Sequence, residues 1–228
     1  MKVTAVIAAG GEGKRMGGQK QFVEISGVPM LELTLGAFND CDAIEDIILV
    51  VPRPDMARAK MLVDQHGFKK VIEIVASGPH RQQSVMHGLA AVKDDSDRVL
   101  IHDGARPLVT NELIKMVVSE LKDNDAVIPA VPVVDTVKRV DEAGKVFETL
   151  DREKLWAAQT PQGFKSHLIK EAHERAQKLG YQATDDARLV ERLGHKVKVI
   201  MGSYENIKIT NPVDVEIAES ILKRRSNQ

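Results

Sequence analysis

A doubly wound α/β fold is predicted for this chain by three observations. Short apolar runs alternate with helical patterns along most of the 228 residues. The first run leads directly into a glycine-rich loop. Segments of helical length separate successive strands, as crossovers between parallel strands require. The class expected is therefore α/β, a Rossmann-like doubly wound, mostly parallel sheet, with residues 1–228 forming one domain.

The runs Val3–Ala9, Ile47–Val51, Val71–Val75, Val99–His102 and Ala126–Val131 read as strands buried on both faces, because they are apolar without alternation. Val85, Leu89 and Val92 fall at i, i+4 and i+7, and Leu113, Val117 and Leu121 repeat every four positions. Each set thereby shares one helix face. Residues 132–157 break the alternation. Val133, Val134, Thr136, Val137 and Val140 favour extended backbone, and Asp141–Gly144 reads as a turn before Val146–Leu150. An isolated hairpin is marginal in water, so this β-arm is expected to pair with a second copy in a homodimer. The alternative is a hairpin folded back on its own domain.

Farther on, Ser166–Gly180 reads as a helix closed by Gly180, with Thr184 as the N-cap of Asp185–Leu193. A strand at Val197–Met201 follows. Asn211-Pro212 opens a last helix that turns Ile217, Ile221 and Leu222 inward, and Lys223–Gln228 reads as a solvated tail.

Composition narrows the partners. The chain has 32 basic and 33 acidic residues, a net charge of −1, with 43% hydrophobic residues. That balance argues against nucleic acid and against a membrane surface, and any phosphate-binding charge must be local. Cys41 stands alone, so no internal disulfide is possible. No signal-peptide pattern opens the sequence and no apolar run reaches bilayer length, so a cytoplasmic location is expected.

In a doubly wound sheet the ligand lies beyond the carboxyl ends of the strands. The loops to examine are 10–20, 76–84, 103–110 and 132 onward. In the first, Gly10 and Gly11 let backbone N–H groups approach phosphate oxygens, and Lys14, Arg15 and Lys20 supply charge. No Gly-Lys-Ser/Thr follows, which excludes a Walker loop. No acidic residue follows the second strand, where Val50-Val51-Pro52-Arg53 stands, which argues against a nicotinamide-dependent oxidoreductase. In the second loop Gly78 and Ser84 can meet a nucleobase edge, although Ser84 also suits a helix cap. In the third, Asp103 can hold Mg²⁺ or ribose hydroxyls. Arg106 either pairs with Asp103 or faces the phosphates. His102 is read as structural.

Taken in order, Ala8-Ala9-Gly10, Arg15-Met16, Lys20-Gln21, Arg81-Gln82-Gln83-Ser84-Val85, His102-Asp103-Gly104-Ala105-Arg106-Pro107, Asp135-Thr136-Val137-Lys138, Asp151-Arg152, Leu155-Trp156, Gln159-Thr160-Pro161-Gln162, Thr184-Asp185-Asp186 and Asn206–Thr210 span essentially the whole sequence. Their joint order resembles the 2-C-methyl-D-erythritol 4-phosphate cytidylyltransferases of non-mevalonate isoprenoid biosynthesis. Two positions depart from that pattern: Gln19 stands where proline is common, and Ser77 where a second glycine is usual.

The resemblance implies a CTP-dependent nucleotidyltransferase that uses Mg²⁺ or another divalent cation and works as a homodimer. It implies that Arg15 and Lys20 stabilise charge on the triphosphate, while Arg152 and Lys208 position the acceptor phosphate. It places Ala8, Ala9, Gly10, Gly11, Gly78, Ser84 and Ala105 around the nucleotide, with Asp103 near ribose and metal. Thr136, Arg106, Thr160, Thr184 and Thr210 would surround the second substrate, and Thr136 and Arg152 would reach the partner subunit's site. The rival of the same architecture is a cytidylyltransferase acting on ribitol 5-phosphate. A non-catalytic nucleotide-binding scaffold is the rival of a different class. The implied chemistry needs no general base, because a phosphate monoester is already anionic. It needs two polyanions brought together by positioned cations.

Overall fold

The computed structural model describes residues 1–11 and 20–227. After strand β1 (Val3–Ala8) the described residues resume with a 3₁₀ turn (Lys20–Phe22) and a small ribbon of β2 (Glu24–Ile25) and β3 (Val28–Pro29), then α1 (Met30–Asn39). There follow β4 (Asp46–Val51), α2 (Met56–His66), β5 (Val71–Ala76), α3 (Arg81–Ala90), β6 (Arg98–Asp103), α4 (Asn111–Glu120) and β7 (Ala126–Pro132). The arm holds β8 (Lys138–Val140) and β9 (Val146–Thr149), and the chain returns as β10 (Trp156–Ala158) and β11 (Gln162–Lys165). It closes with α5 (Ser166–Lys178), α6 (Asp186–Arg192), β12 (Lys198–Met201) and α7 (Pro212–Ser226). Each of the five strands first expected lies within a residue or two of its observed bounds.

The main sheet runs β10-β7-β11-β6-β1-β4-β5, with β12 also paired to β7. β1 pairs in parallel with both β4 and β6, and β4 with β5. β10 and β11 lie antiparallel to β7, and β11 is antiparallel to β6 as well. β12 runs parallel to β7 over Val127–Ala130. Because β1 sends the chain first toward β5 and later back to β6, strand order reverses beside it. The crevice forms at this reversal.

Residue parity explains why the central strands carry no polar face. Ala5, Ile7, Ile47, Leu49, Val51 and Leu100 pack with α1, α2 and α4. Val6, Ile48, Val50, Val99 and Ile101 pack on the other face with α3, α5 and α6. Both faces are covered, so alternation disappears, and each fully buried aliphatic side chain adds about 1.5–3 kcal/mol. Gly88 lets α3 press onto β1, since a Cβ there would lie 2.5 Å from Val6 Cγ1. A third cluster, around Ile25, Met30, Leu108, Ile209 and Ala218, sits beneath the strand-end crevice.

The arm pairs only with itself among the described residues. β8 and β9 are antiparallel, and the turn is fixed by Asp141 Oδ1, which accepts from Ala143 N and Lys145 N, with Gly144 at φ +75°. Val134, Val140, Val146 and Phe147 are all more than half exposed, so the hairpin is not folded back on its own core.

Three local expectations are corrected. Asp185, not Thr184, caps α6, because its side chain accepts from Arg188 N at 3.1 Å. Ile217 is 44% exposed, and Ala218 is the buried residue of α7 instead. The supposed solvated tail is helical to Ser226, with Arg224 and Arg225 both paired to Glu205.

Candidate active site

A cavity of about 590 Å³ opens at the carboxyl ends of the central strands. Ala8, Ala9, Gly10 and Gly11 form one wall after β1, Gly78 to Arg81 and Ser84 a second after β5, and Asp103 to Ala105 a third after β6. Lys20, Gln21, Met30, Lys208 and Thr210 complete it. Walls one and two touch at Gly10, where a Cβ would lie 2.4 Å from Ser77 Cβ. The second wall is shaped by Ser84. Its Oγ accepts from Gly78 N at 3.1 Å and lies 3.0 Å from the His80 carbonyl, so it holds the 78–80 turn from within α3 rather than capping the helix.

Asp103 is the electrostatic centre. Its Oδ1 accepts from Arg81 Nε at 2.8 Å and its Oδ2 from Lys208 Nζ at 2.7 Å. Burial by itself would raise the Asp103 carboxyl, but the adjacent Arg81 and Lys208 charges hold it well below the usual carboxylate range. Arg81 also pairs with the fully buried Asp186 at 2.8 Å. Burial alone would make this guanidinium easier to deprotonate, and its two carboxylates more than reverse that. Burial likewise opposes ionisation of Asp186, and Arg81 together with the His173 hydrogen bond outweighs it.

Behind Asp103, donors and acceptors fall in a single direction. Asp103 N donates to Thr160 Oγ1 (3.1 Å), leaving the Thr160 hydroxyl to donate to His102 Nδ1 (3.0 Å). His102 Nε2 then carries the proton and donates to the Arg106 carbonyl at 3.1 Å. Full burial lowers the His102 pKa to about 3, so the ring stays neutral and structural, as expected from sequence.

The expected site residues divide clearly. Ala8, Ala9, Gly10, Gly11, Lys20, Gly78, Ser84, Asp103, Ala105, Lys208 and Thr210 line the cavity. Arg106 does not pair with Asp103; its Nη1 donates to the Asn206 carbonyl at 2.7 Å. Thr160 is buried behind the cavity. Thr184 is exposed, and Thr136 and Arg152 are exposed on the arm, where Arg152 Nη1 donates to the Val134 carbonyl. Arg15 lies outside the described residues, as does Lys14. Arg81 and Gln21 stand within the sequence motifs, but no local pattern assigns them a role. Gln21 lines the cavity and its Nε2 donates to Asp55 Oδ2 at 2.6 Å, fastening the turn that carries Lys20. The signal for Arg81 was its place in the first turn of a helix that follows a site loop.

The hydroxyls at the cavity wall are engaged: Ser84 by the backbone of its turn and Thr210 by Asp214 Oδ2 at 2.7 Å. Besides the Asp103 carboxylate, held by Arg81 and Lys208, the cavity presents chiefly backbone and cations. A doubly wound α/β frame with that equipment at its switch point is the frame of a nucleotidyltransferase, which positions phosphates rather than attacking with a side chain.

The profile of one such family, 2-C-methyl-D-erythritol 4-phosphate cytidylyltransferase, matches residues 3–224. The correspondingly named protein of Geotalea uraniireducens is 46% identical over 228 residues, covering 98% of this chain and 97% of the relative. That of Alkaliphilus oremlandii is 45% identical over 227 residues, covering 98% and 96%. In three dimensions the chain is similar to the 4-diphosphocytidyl-2C-methyl-D-erythritol synthase of Anaerococcus prevotii, with a TM-score of 0.87 and 34% identity over 97% of this chain and 96% of that one. It is also similar to the Thermus thermophilus cytidylyltransferase, with a TM-score of 0.81 and 32% identity over 98% and 100%. The chain belongs to the 2-C-methyl-D-erythritol 4-phosphate cytidylyltransferase family.

Proposed function

We propose that this cavity is where the chain joins CTP to 2-C-methyl-D-erythritol 4-phosphate, giving 4-diphosphocytidyl-2-C-methyl-D-erythritol and pyrophosphate. An anionic oxygen of the acceptor phosphate attacks the α-phosphorus of CTP. The bond to the β-phosphate oxygen breaks, and its electrons leave with pyrophosphate. The observation that carries the reading is the meeting of Lys20, the Gly10–Gly11 backbone and the Asp103–Lys208 pair around one cavity.

In this reading Lys20 and Arg15 neutralise the triphosphate, and the wall at Gly78 and Ser84 receives the cytosine. Lys208 holds the acceptor phosphate as a point charge while Asp103 keeps it oriented. Arg152 adds a forked guanidinium from the arm of a second subunit. Thr136, Arg106, Thr160, Thr184 and Thr210 shape the surroundings of the acceptor, the buried Thr160 by fixing the backbone of Asp103. Exposure of Val140, Val146 and Phe147 on the arm supports homodimer formation.

The donor set fits Mg²⁺ carried on the nucleotide. Asp103 is the carboxylate among the described residues at the cavity wall, and each of its oxygens keeps a lone pair after accepting from a cation. Among the described residues no group of three or more His, Cys, Asp or Glu side chains is placed to hold a metal ion by itself. Asp103 and the phosphates would hold the ion, which would neutralise phosphate charge when bound. No helix among the described residues is long and apolar enough to cross a membrane. The buried free thiol of Cys41 supports a reducing compartment, the cytoplasm.

The test is pyrophosphate release with CTP and Mg²⁺ against a panel of polyol phosphates. Release is expected to be fastest with 2-C-methyl-D-erythritol 4-phosphate; faster release with ribitol 5-phosphate would overturn the acceptor assignment.

A further inference from the structure

The last helix grips the segment that bears Lys208 at both ends. In its first turn, Asp214 Oδ2 accepts from Thr210 N (2.6 Å), Thr210 Oγ1 (2.7 Å) and Asn211 N (2.8 Å). In its last turn, Arg225 donates from Nε to Glu205 Oε2 at 3.0 Å, and Arg224 also pairs with Glu205. Between these points Asn206 Nδ2 donates to the Thr160 carbonyl at 2.9 Å and Ile209 N to the Ala105 carbonyl at 2.8 Å. Residues 205–210 are thus strung between the two ends of one rigid rod, with Lys208 in the middle.

Arg225 makes one more bond, from Nη1 to the Leu108 carbonyl at 3.1 Å. Leu108 lies in the loop that follows Asp103, the carboxylate that orients Lys208. One half-buried guanidinium therefore ties the segment of Lys208 to the loop of its counter-ion without lining the cavity. α7 seats Ala218, its one buried residue, in the third cluster, with Val215, Ile221 and Leu222 partly buried against it and Val213 more than half exposed. Apolar packing holds one face of the helix, and charge-assisted bonds to a fixed fork are well suited to set the position of its ends.

We propose that Arg225, acting through Glu205 and the Leu108 carbonyl, is a positioning residue for Lys208, so that α7 works as a strut for the acceptor half of the site. The proposal rests on the reading of Lys208 as the acceptor-phosphate cation. A displacement near 1 Å at a positioned charge is enough to cost on the order of a hundredfold. Because Arg224 still holds Glu205 in the Arg225 variant, a smaller loss is expected.

The experiment compares Arg225→Ala, Arg225→Lys, Lys208→Ala and the double variant Arg225→Ala/Lys208→Ala in the full chain. Arg225→Ala should lower kcat/KM for the acceptor about tenfold while KM for CTP stays within about twofold. Arg225→Lys should restore part of that loss, since an ammonium keeps the Glu205 pair but not the fork to Leu108. On the Lys208→Ala background the added loss should be less than about twofold, the sign of coupled residues. Amide hydrogen exchange over residues 206–209 should quicken in Arg225→Ala and stay unchanged over 78–84. Fully additive losses, an equal rise in both KM values, or unchanged exchange over 206–209 would each overturn the strut. If Lys208→Ala leaves the acceptor KM untouched, the reading of Lys208 fails instead, and the exchange measurement alone then decides whether α7 is a strut.

Discussion

The part of this cavity that we assign to the nucleotide and the part that we assign to the acceptor are built in opposite ways. On the nucleotide side, walls from three strand ends touch one another: Gly10 abuts Ser77, and Gly104 abuts Ala9. On the acceptor side the expected residues are scattered. Lys208 reaches the cavity and is 40% exposed, Thr184 is on the surface, and Arg152 and Thr136 stand on a projecting hairpin. Among the described residues, the walls assigned to the nucleotide touch one another, and the residues assigned to the acceptor lie apart. A preformed pocket suits a large common co-substrate, whereas an arm that projects from the domain suits completion by a second copy.

That contrast can be broken most severely by complementation. Lys20→Ala should lower turnover by at least about a hundredfold, because it removes a cation from the developing charge. Arg152→Ala should lower it by about tenfold or more, chiefly through the acceptor. If the arm serves the neighbouring subunit, mixing the two variants under conditions of subunit exchange creates hybrid dimers with one intact site. Half of the dimers would be hybrids, so roughly a quarter of wild-type activity should return. A mixture that shows only the mean of its parents would mean that Arg152 acts within its own chain, or not at all.

The same contrast governs what could be read from sequence. The sheet was legible because burial on both faces leaves unbroken runs such as Ile47–Val51, and glycines mark the loops that follow strands. The nucleotide wall was legible for that reason. The arm was legible as extended backbone, since its β-branched residues have no helical spacing, and as a hairpin not folded back on its own domain, since an isolated hairpin calls for a second copy. Arg81 was passed over as a catalytic candidate because its importance comes from Asp186, 105 positions later, and such a pairing leaves no local pattern. The tail was misjudged for a related reason. Lys223-Arg224-Arg225 looks like a solvated charge run until Glu205 and the Leu108 carbonyl are found beside it.

The wall around Asp103 should also respond to pH through its support. His102 is held neutral by burial, with its pKa near 3 against the ordinary 6.5. The unfolded chain therefore binds a proton at His102 below about pH 6.5 while the folded one does not, so stability falls as pH falls. Between pH 7 and pH 5 this group should remove about 2 kcal/mol. Asp103 and Asp186, whose carboxyls are held low in the fold, act in the same direction only once pH approaches about 4. Denaturant unfolding of wild type and His102→Gln at the two pH values checks this. The variant should be less stable at pH 7, where it loses the Thr160 bond, and should lose less on going to pH 5. Parallel losses in the two proteins would contradict a neutral buried His102.

The smallest expected effect separates a fold role from an acceptor role at the surface. Asp185 caps α6 and also accepts from the buried Gln162 Nε2 at 2.8 Å, so Asp185→Ala should cost about 1–2 kcal/mol in thermal or denaturant unfolding. Thr184 precedes the cap and is exposed, so Thr184→Ala should change stability by less than about 0.5 kcal/mol. If Thr184 meets the acceptor in the completed dimer, the same substitution should still raise the acceptor KM by about threefold, the worth of one hydrogen bond of modest strength. An unchanged KM would remove Thr184 from the acceptor half and leave that half to the arm and Lys208. A stability loss equal to that of Asp185→Ala would instead mean that the cap lies one residue earlier, at Thr184.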